Sequence, residues 1–289
     1  MRTGQGRLRR LLGAAVAAWC ALGLLAPRVA RAQRSEPLPK QLEGVGITEH
    51  PGARLPLDLE FTAEDGKPVR LSQYFAAGRP VILTLNYYRC PMLCGLLLNG
   101  LVDGLKELSW TPGREFEIVT VSIDPQESPK LAMLKKESYI SDYGRAGAAA
   151  GWHFMTGSEA NIRALADAVG FHYHYDEEAQ QFAHPAGIFI LTPDGRLARY
   201  LYGVAFEEKT LRLSLAEASD GRIASATDQV LLYCFHYDAN TGRYVVAATN
   251  IMRLGGAATA VVVGVWLLLA WRRSARESAR MGAGAERHA

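Results

Sequence analysis

The chain has 289 residues, 49% apolar and 21% charged, with a formal charge of +3. That is the balance of a globular chain, long enough for one domain with appendages or for two small ones. The charge is uneven: residues 1–32 hold six Arg and no acid, and the tail after Trp271 holds five Arg and two Glu, which leaves −6 for residues 33–271. An acidic body excludes nucleic acid as the partner, because phosphate binding needs clustered cations.

In chain order, residues 1–32 start basic (Arg7, Arg9, Arg10), continue as an apolar run from Leu11 to Ala26 and end on Ala30-Arg31-Ala32. These are the three parts of a secretory signal peptide with its cleavage site. Residues 33–56 are rich in Pro and Gly without periodicity and read as an extended lead-in. A hairpin is predicted over 57–71, turning at Asp65-Gly66. "PVILTLNYY" is a continuous apolar run, as in a strand buried on both faces. Pro91 suits the first turn of a helix, and Leu93, Leu96, Leu97, Leu101, Leu105 and Leu108 recur at helical spacing. The strand "REFEIVTVSID" follows, then a helix with Ser128 as N-cap and Pro129 at its first position. "WHFMTG" is a short strand, "SEANIRALADAVG" a helix closed by Gly170, and "FHYHYD" alternates as one strand. A second hairpin turns at Asp194-Gly195, and "FEEKTLRLSLAEAS" is a last helix.

Strands alternating with helices imply an α/β layer fold with a partly parallel sheet over residues 57–219. Residues 220–253 form a segment leading to the uncharged run 254–271, "LGGAATAVVVGVWLLLAW". That run is long enough for a transmembrane helix. Arg272, Arg273, Arg276 and Arg280 follow it, so the tail 272–289 is expected in the cytoplasm. Both ends thus place residues 33–253 outside the cytoplasm, on a single-pass protein of the inner membrane whose main domain lies in the periplasm.

Three cysteines remain after signal cleavage: Cys90, Cys94 and Cys234. Cys90 and Cys94, four positions apart beside a helix start, are expected on one helix face, and the helix N-terminus favours a thiolate at Cys90. A structural disulfide, a redox pair and a metal clip all remain open. A disulfide over so short a loop gains little closure entropy. A metal clip needs a further ligand, and a soft N/S set would select Cu(I) or zinc. Of the histidines, His50 and His288 lie in the lead-in and tail. His153, His172 and His174 lie in or beside strands, the last two together on a solvated face. His184 stands in the loop before the strand "AGIFILT", which this element order can bring beside the first helix.

The strings "GRPVILTLNYYRCPMLCGLLLNGL", "VTVSIDPQESPKLA" and "HPAGIFILTPDGRLARYLYG" resemble the Sco/SenC family of copper-binding cytochrome c oxidase assembly factors, over about residues 55–218. The resemblance implies a thioredoxin-like fold with an extra N-terminal hairpin and inserts. It also implies a copper site, Cu(I) or Cu(II), on Cys90, Cys94 and His184, with Asp124 matching the family's nearby aspartate. It implies a chaperone more than an enzyme, delivering copper to cytochrome c oxidase subunit II or to another exported copper protein. The alternative is a membrane-anchored thiol-disulfide oxidoreductase that uses Cys90 to attack and Cys94 to resolve. Gly95 and Ala183 stand where family members often carry Pro and Asp, and many members are anchored at the N-terminus.

Cys234 and His236 make a C-x-H string ahead of the apolar run. In an extended segment both side chains share a face, so a second soft-metal site or a copper relay is one reading. A free thiol in a membrane-proximal strand is the plainer one.

Overall fold

A computed structural model describes residues 43–90 and 92–220, with the shorter stretches 235–238, 243–246, 252–253, 255–266 and 269. All of these lie in Gln41–Ala289, one of the two units into which the chain divides. The signal segment, Pro91, Cys234 and the tail lie outside the described residues.

Seven strands form one mixed sheet. Its centre is β4 (Val81–Asn86), β5 (Glu117–Ser122) and β6 (Trp152–Thr156), which run parallel. Every residue of β4 and of β5 is buried, as strands covered on both faces require. The hairpin β2 (Glu60–Ala63) and β3 (Pro68–Arg70) extends the sheet antiparallel beyond β6. On the other side β10 (Gly187–Leu191) pairs antiparallel with β4, and β11 (Leu197–Tyr202) with β10. The order is therefore β11-β10-β4-β5-β6-β2-β3.

Helices α1 (Leu93–Glu107), α2 (Pro129–Tyr143) and α4 (Glu208–Ala218) cover one face, where Leu97, Leu101, Leu105, Tyr139 and Leu215 pack with Ile82, Ile118 and Phe154. Helix α3 (Glu159–Ala168) and the N-terminal segment cover the other, with Ile162, Leu165, Phe61 and Leu71 against Leu83, Leu85 and Val121. The caps follow the sequence: Ser128 Oγ accepts from Leu131 N and Ser158 Oγ from Asn161 N. Gly170 closes α3 at φ +66, and a Cβ there would meet Thr48 O at 1.9 Å, so only glycine fits. This is the thioredoxin-like α/β layout implied by the resemblance.

Two departures bear on function. "FHYHYD" is not one strand. It divides into β7 (Phe171–His172), paired with β1 (Gly46–Ile47), and β8 (His174–Asp176), paired with β9 (Gln181–Ala183). The β8–β9 hairpin turns without glycine: Asp176 Oδ1 accepts from Glu178 N and Ala179 N, and Gln180 takes φ +51. A polar turn of this kind gives no Gly or Pro signal. Second, the helix starts at Leu93, so Cys90 precedes it, and its meeting with Cys94 does not come from a shared helix face.

Residues 255–266 are helical, and β12 (Phe235–Asp238) pairs with β13 (Arg243–Val246), with His236 opposite Val245. Among the described residues no helix is long and apolar enough to cross a membrane. Residues 254, 267, 268, 270 and 271 of the apolar run lie outside them.

Candidate metal centre

Three separate segments converge at the C-terminal end of β4. Cys90 lies in the loop that leaves β4, and Cys94 in the first turn of α1. His184 stands between β9 and β10. The antiparallel register places Ile188 opposite Thr84, so the residues before β10 run alongside those after β4. The ligand-capable atoms of Cys90, Cys94 and His184 all lie within 4.8 Å of one another, and this is the one such group among the described residues.

Sulfur and backbone interlock. Cys94 N donates to Cys90 Sγ at 3.3 Å, so Cys90 serves one of the free amides at the start of α1. Tyr87 N donates to Cys94 Sγ at 3.4 Å. Both cysteines are free thiols. Cys94 is 3% exposed and His184 6%, whereas Cys90 is half-buried at the rim.

Charge is divided unequally between the sulfurs. The Cys94 side chain, His184 and the Cys94 backbone N–H hold the Cys90 thiol well below its ordinary range, against the cost of burial. The Cys90 side chain and burial push Cys94 far up. The first proton to leave the pair is therefore that of Cys90, which leaves a Cys90 thiolate beside a Cys94 thiol.

His184 Nδ1 lies 2.9 Å from Pro185 O, a partner that can only accept. A neutral ring therefore carries its proton on Nδ1, and Nε2 stands 3.1 Å from Cys94 Sγ, placed to bind a metal. Tyr87 stands edge-on to the imidazole at 5.8 Å and Phe171 lies 6.1 Å from it, so aromatic rings wall the site. Two sulfurs and one imidazole nitrogen form a soft donor set suited to Cu(I) and able to hold Cu(II), and no carboxylate joins the group.

The other expected residues fare differently. Asp124 is not brought to the sulfurs. Its Oδ1 accepts from Gln126 N, and the residue lines a groove of about 650 Å³ with Tyr87, Arg89, Tyr173 and Phe182. His172 is exposed and bonds Thr48 Oγ1, and His153 lies 3.3 Å from Glu117. His236 lies on β12, away in sequence from any described cysteine, while Cys234 is outside the described residues. Sequence reading missed Glu127, which binds the backbone just ahead of Cys90, because nothing in "IDPQES" sets it apart from an ordinary loop acid.

The SCO1/SenC family model matches residues 49–217, well over half of the chain. The chain belongs to the SCO1/SenC family. Among solved structures, a candidate electron-transfer protein of Aquifex aeolicus VF5 is 24% identical, with a TM-score of 0.52 over 61% of this chain and 98% of that one. A SCO1/SenC lipoprotein of Bacillus anthracis str. Ames is 17% identical over 60% of this chain and 95% of that one, with a TM-score of 0.45. Arabidopsis thaliana ScoI, solved with copper bound, is 19% identical over 58% of this chain and 98% of that one, with a TM-score of 0.42. At 24% identity the likeness to the Aquifex aeolicus protein is one of fold. No curated protein matched the chain. In this SCO1/SenC chain the two cysteines and the histidine singled out in the sequence stand together, and the aspartate stands apart from them.

Proposed function

We propose that this SCO1/SenC protein is a copper metallochaperone that holds one copper ion through Cys90 Sγ, Cys94 Sγ and His184 Nε2. The convergence of these three atoms within 4.8 Å, His184 coming from 90 positions beyond Cys94, carries the reading. Copper is cargo here. Binding needs both sulfurs as thiolates, so the Cys94 proton leaves as copper arrives. Cys90 is the half-buried ligand at the rim, so an acceptor's soft ligand displaces it first, while Cys94 and His184 hold on from the buried side. Delivery is a ligand-for-ligand exchange, and the acceptor is an exported copper protein, with the dinuclear site of cytochrome c oxidase subunit II as the target. The domain works in the periplasm, tethered by the apolar run 254–271 with the C-terminus in the cytoplasm. The support for that topology is the uncharged run and the arginines after it.

The test is metal analysis and absorption spectra of the full-length protein after Cu(I) and Cu(II) loading, beside His184→Ala. We expect one copper per chain and a sulfur-to-copper charge-transfer band that His184→Ala loses or shifts. Full copper affinity in His184→Ala would falsify the three-ligand site. One observation favours a second reading: a half-exposed Cys90 thiolate beside a buried Cys94 thiol also suits an attacking and resolving pair. That chemistry has no need of His184, so disulfide-exchange activity surviving in His184→Ala, without copper binding in wild type, identifies it.

A further inference from the structure

Between the end of β4 at Asn86 and the start of α1 at Leu93, the described residues, Cys90 among them, belong to no helix or strand. This stretch is held from outside by a buried carboxyl group. Glu127, in the connection between β5 and α2, is 5% exposed. Its Oε2 accepts from Tyr88 N at 2.7 Å and from Ser122 Oγ at 2.6 Å, and its Oε1 accepts from Arg89 N at 2.7 Å. All three partners are uncharged donors. Burial raises the Glu127 pKa from the ordinary carboxyl value, and these three hydrogen bonds oppose that rise.

Burying a carboxyl group with no cation beside it is costly in either protonation state, and a loop needing only bulk here would be served by an apolar side chain. What the carboxyl group adds is direction. Two consecutive amides bound to the two oxygens of one planar group fix the backbone at Tyr88 and Arg89. Arg89 directly precedes Cys90, so the same clamp sets the angle at which the Cys90 side chain leaves the loop. The clamp is itself anchored to the sheet: Ser122 ends β5, Asp124 N donates to Ser122 Oγ at 3.1 Å, and Ile123 N donates to Asn86 O at 2.7 Å. Cys94 is oriented by α1 and His184 by Pro185 O. Cys90, the half-buried ligand in the loop after β4, has Glu127.

We infer that Glu127 is a positioning residue of the metal site, its carboxyl group fixing Cys90 Sγ relative to Cys94 Sγ and His184 Nε2. The inference rests on the three-ligand reading above. Glu127→Gln keeps the size but replaces one acceptor oxygen with an NH₂ group, which turns a donor toward a backbone N–H or the Ser122 hydroxyl.

The test compares full-length wild type, Glu127→Gln and His184→Ala by thermal unfolding, Cu(I) competition, the charge-transfer band after Cu(II) loading, and iodoacetamide alkylation of metal-free Cys90 mapped by mass spectrometry. For a cooperatively folded Glu127→Gln we expect copper affinity roughly tenfold to a hundredfold weaker, a shifted band and an altered Cys90 alkylation rate. Wild-type affinity, band and alkylation rate in Glu127→Gln, with copper lost from His184→Ala, overturn the inference and leave the ligand set standing. Copper retained at full affinity in His184→Ala overturns the ligand set instead. If Glu127→Gln does not fold, Glu127→Asp decides: it keeps both acceptor oxygens on an arm one methylene shorter, so a shifted band is expected and an unchanged one overturns the inference.

Discussion

At Cys94 two demands conflict. The thiol is protonated at neutral pH because of the Cys90 side chain beside it and because it is buried, and both causes raise its pKa. A copper ligand must be the thiolate, so uptake at neutral pH expels that proton. Lowering the pH opposes the release, and apparent Cu(I) affinity should fall about tenfold for each pH unit lost. Competition titrations at several pH values check this, and a flat profile would contradict the proton assignment. Cys94→Ser exchanges a soft donor for a hard one in the same buried place. It should abolish stable Cu(I) binding while the thermal midpoint changes little, whereas a purely structural thiol would show the reverse. The chemistry of these residues was legible in the sequence, since two cysteines beside a helix start already suggest thiolates. The tautomer of His184 was not, because it depends on the path of the Pro185 carbonyl.

Among the elements, α1 is positioned by what it lacks. A Cβ at Gly100 would stand 1.8 Å from Val204 O, and one at Gly104 would stand 2.2 Å from Phe206 O. The helix that carries Cys94 therefore lies directly on the backbone that follows β11. Gly100→Ala should destabilise the protein by about 1–3 kcal/mol, read from urea unfolding, because helix or loop must move apart. The β8–β9 hairpin is the second decisive element, since it delivers the chain to His184. Asp176→Ala removes the acceptor that closes its turn. Faster amide exchange over residues 177–181 and weaker copper binding are the expected results. An unchanged exchange rate there would show that the turn does not depend on the carboxylate. The alternating pattern of "FHYHYD" showed extended chain but not the break within it, for the two halves pair with different partners, β1 and β9.

On the scale of the whole molecule, the sheet separates stability from metal chemistry. Trp152 begins β6 and is fully buried, with Nε1 donating to Thr120 Oγ1 at 3.0 Å. The ligands gather at the opposite, C-terminal end of the parallel strands. Trp152→Ala should cost about 3–5 kcal/mol in unfolding free energy and leave the copper stoichiometry of the folded fraction unchanged. A stoichiometry that falls with stability would show that core and site are coupled. The sequence alone determined the buried strands, the helices with their caps, and a cysteine pair beside a helix start. Each is local, because periodicity, capping and spacing act over a few residues, whereas His184 as the partner of the cysteines came only from the family resemblance. Only the tertiary structure decided that β10 pairs antiparallel with β4, which carries His184 to the cysteines across 90 positions of chain. It also placed Glu127 behind the Cys90 loop, on the Tyr88 and Arg89 amides. Strand order and loop docking depend on which edges and donors meet after the sheet has closed, and no short stretch of sequence carries that information.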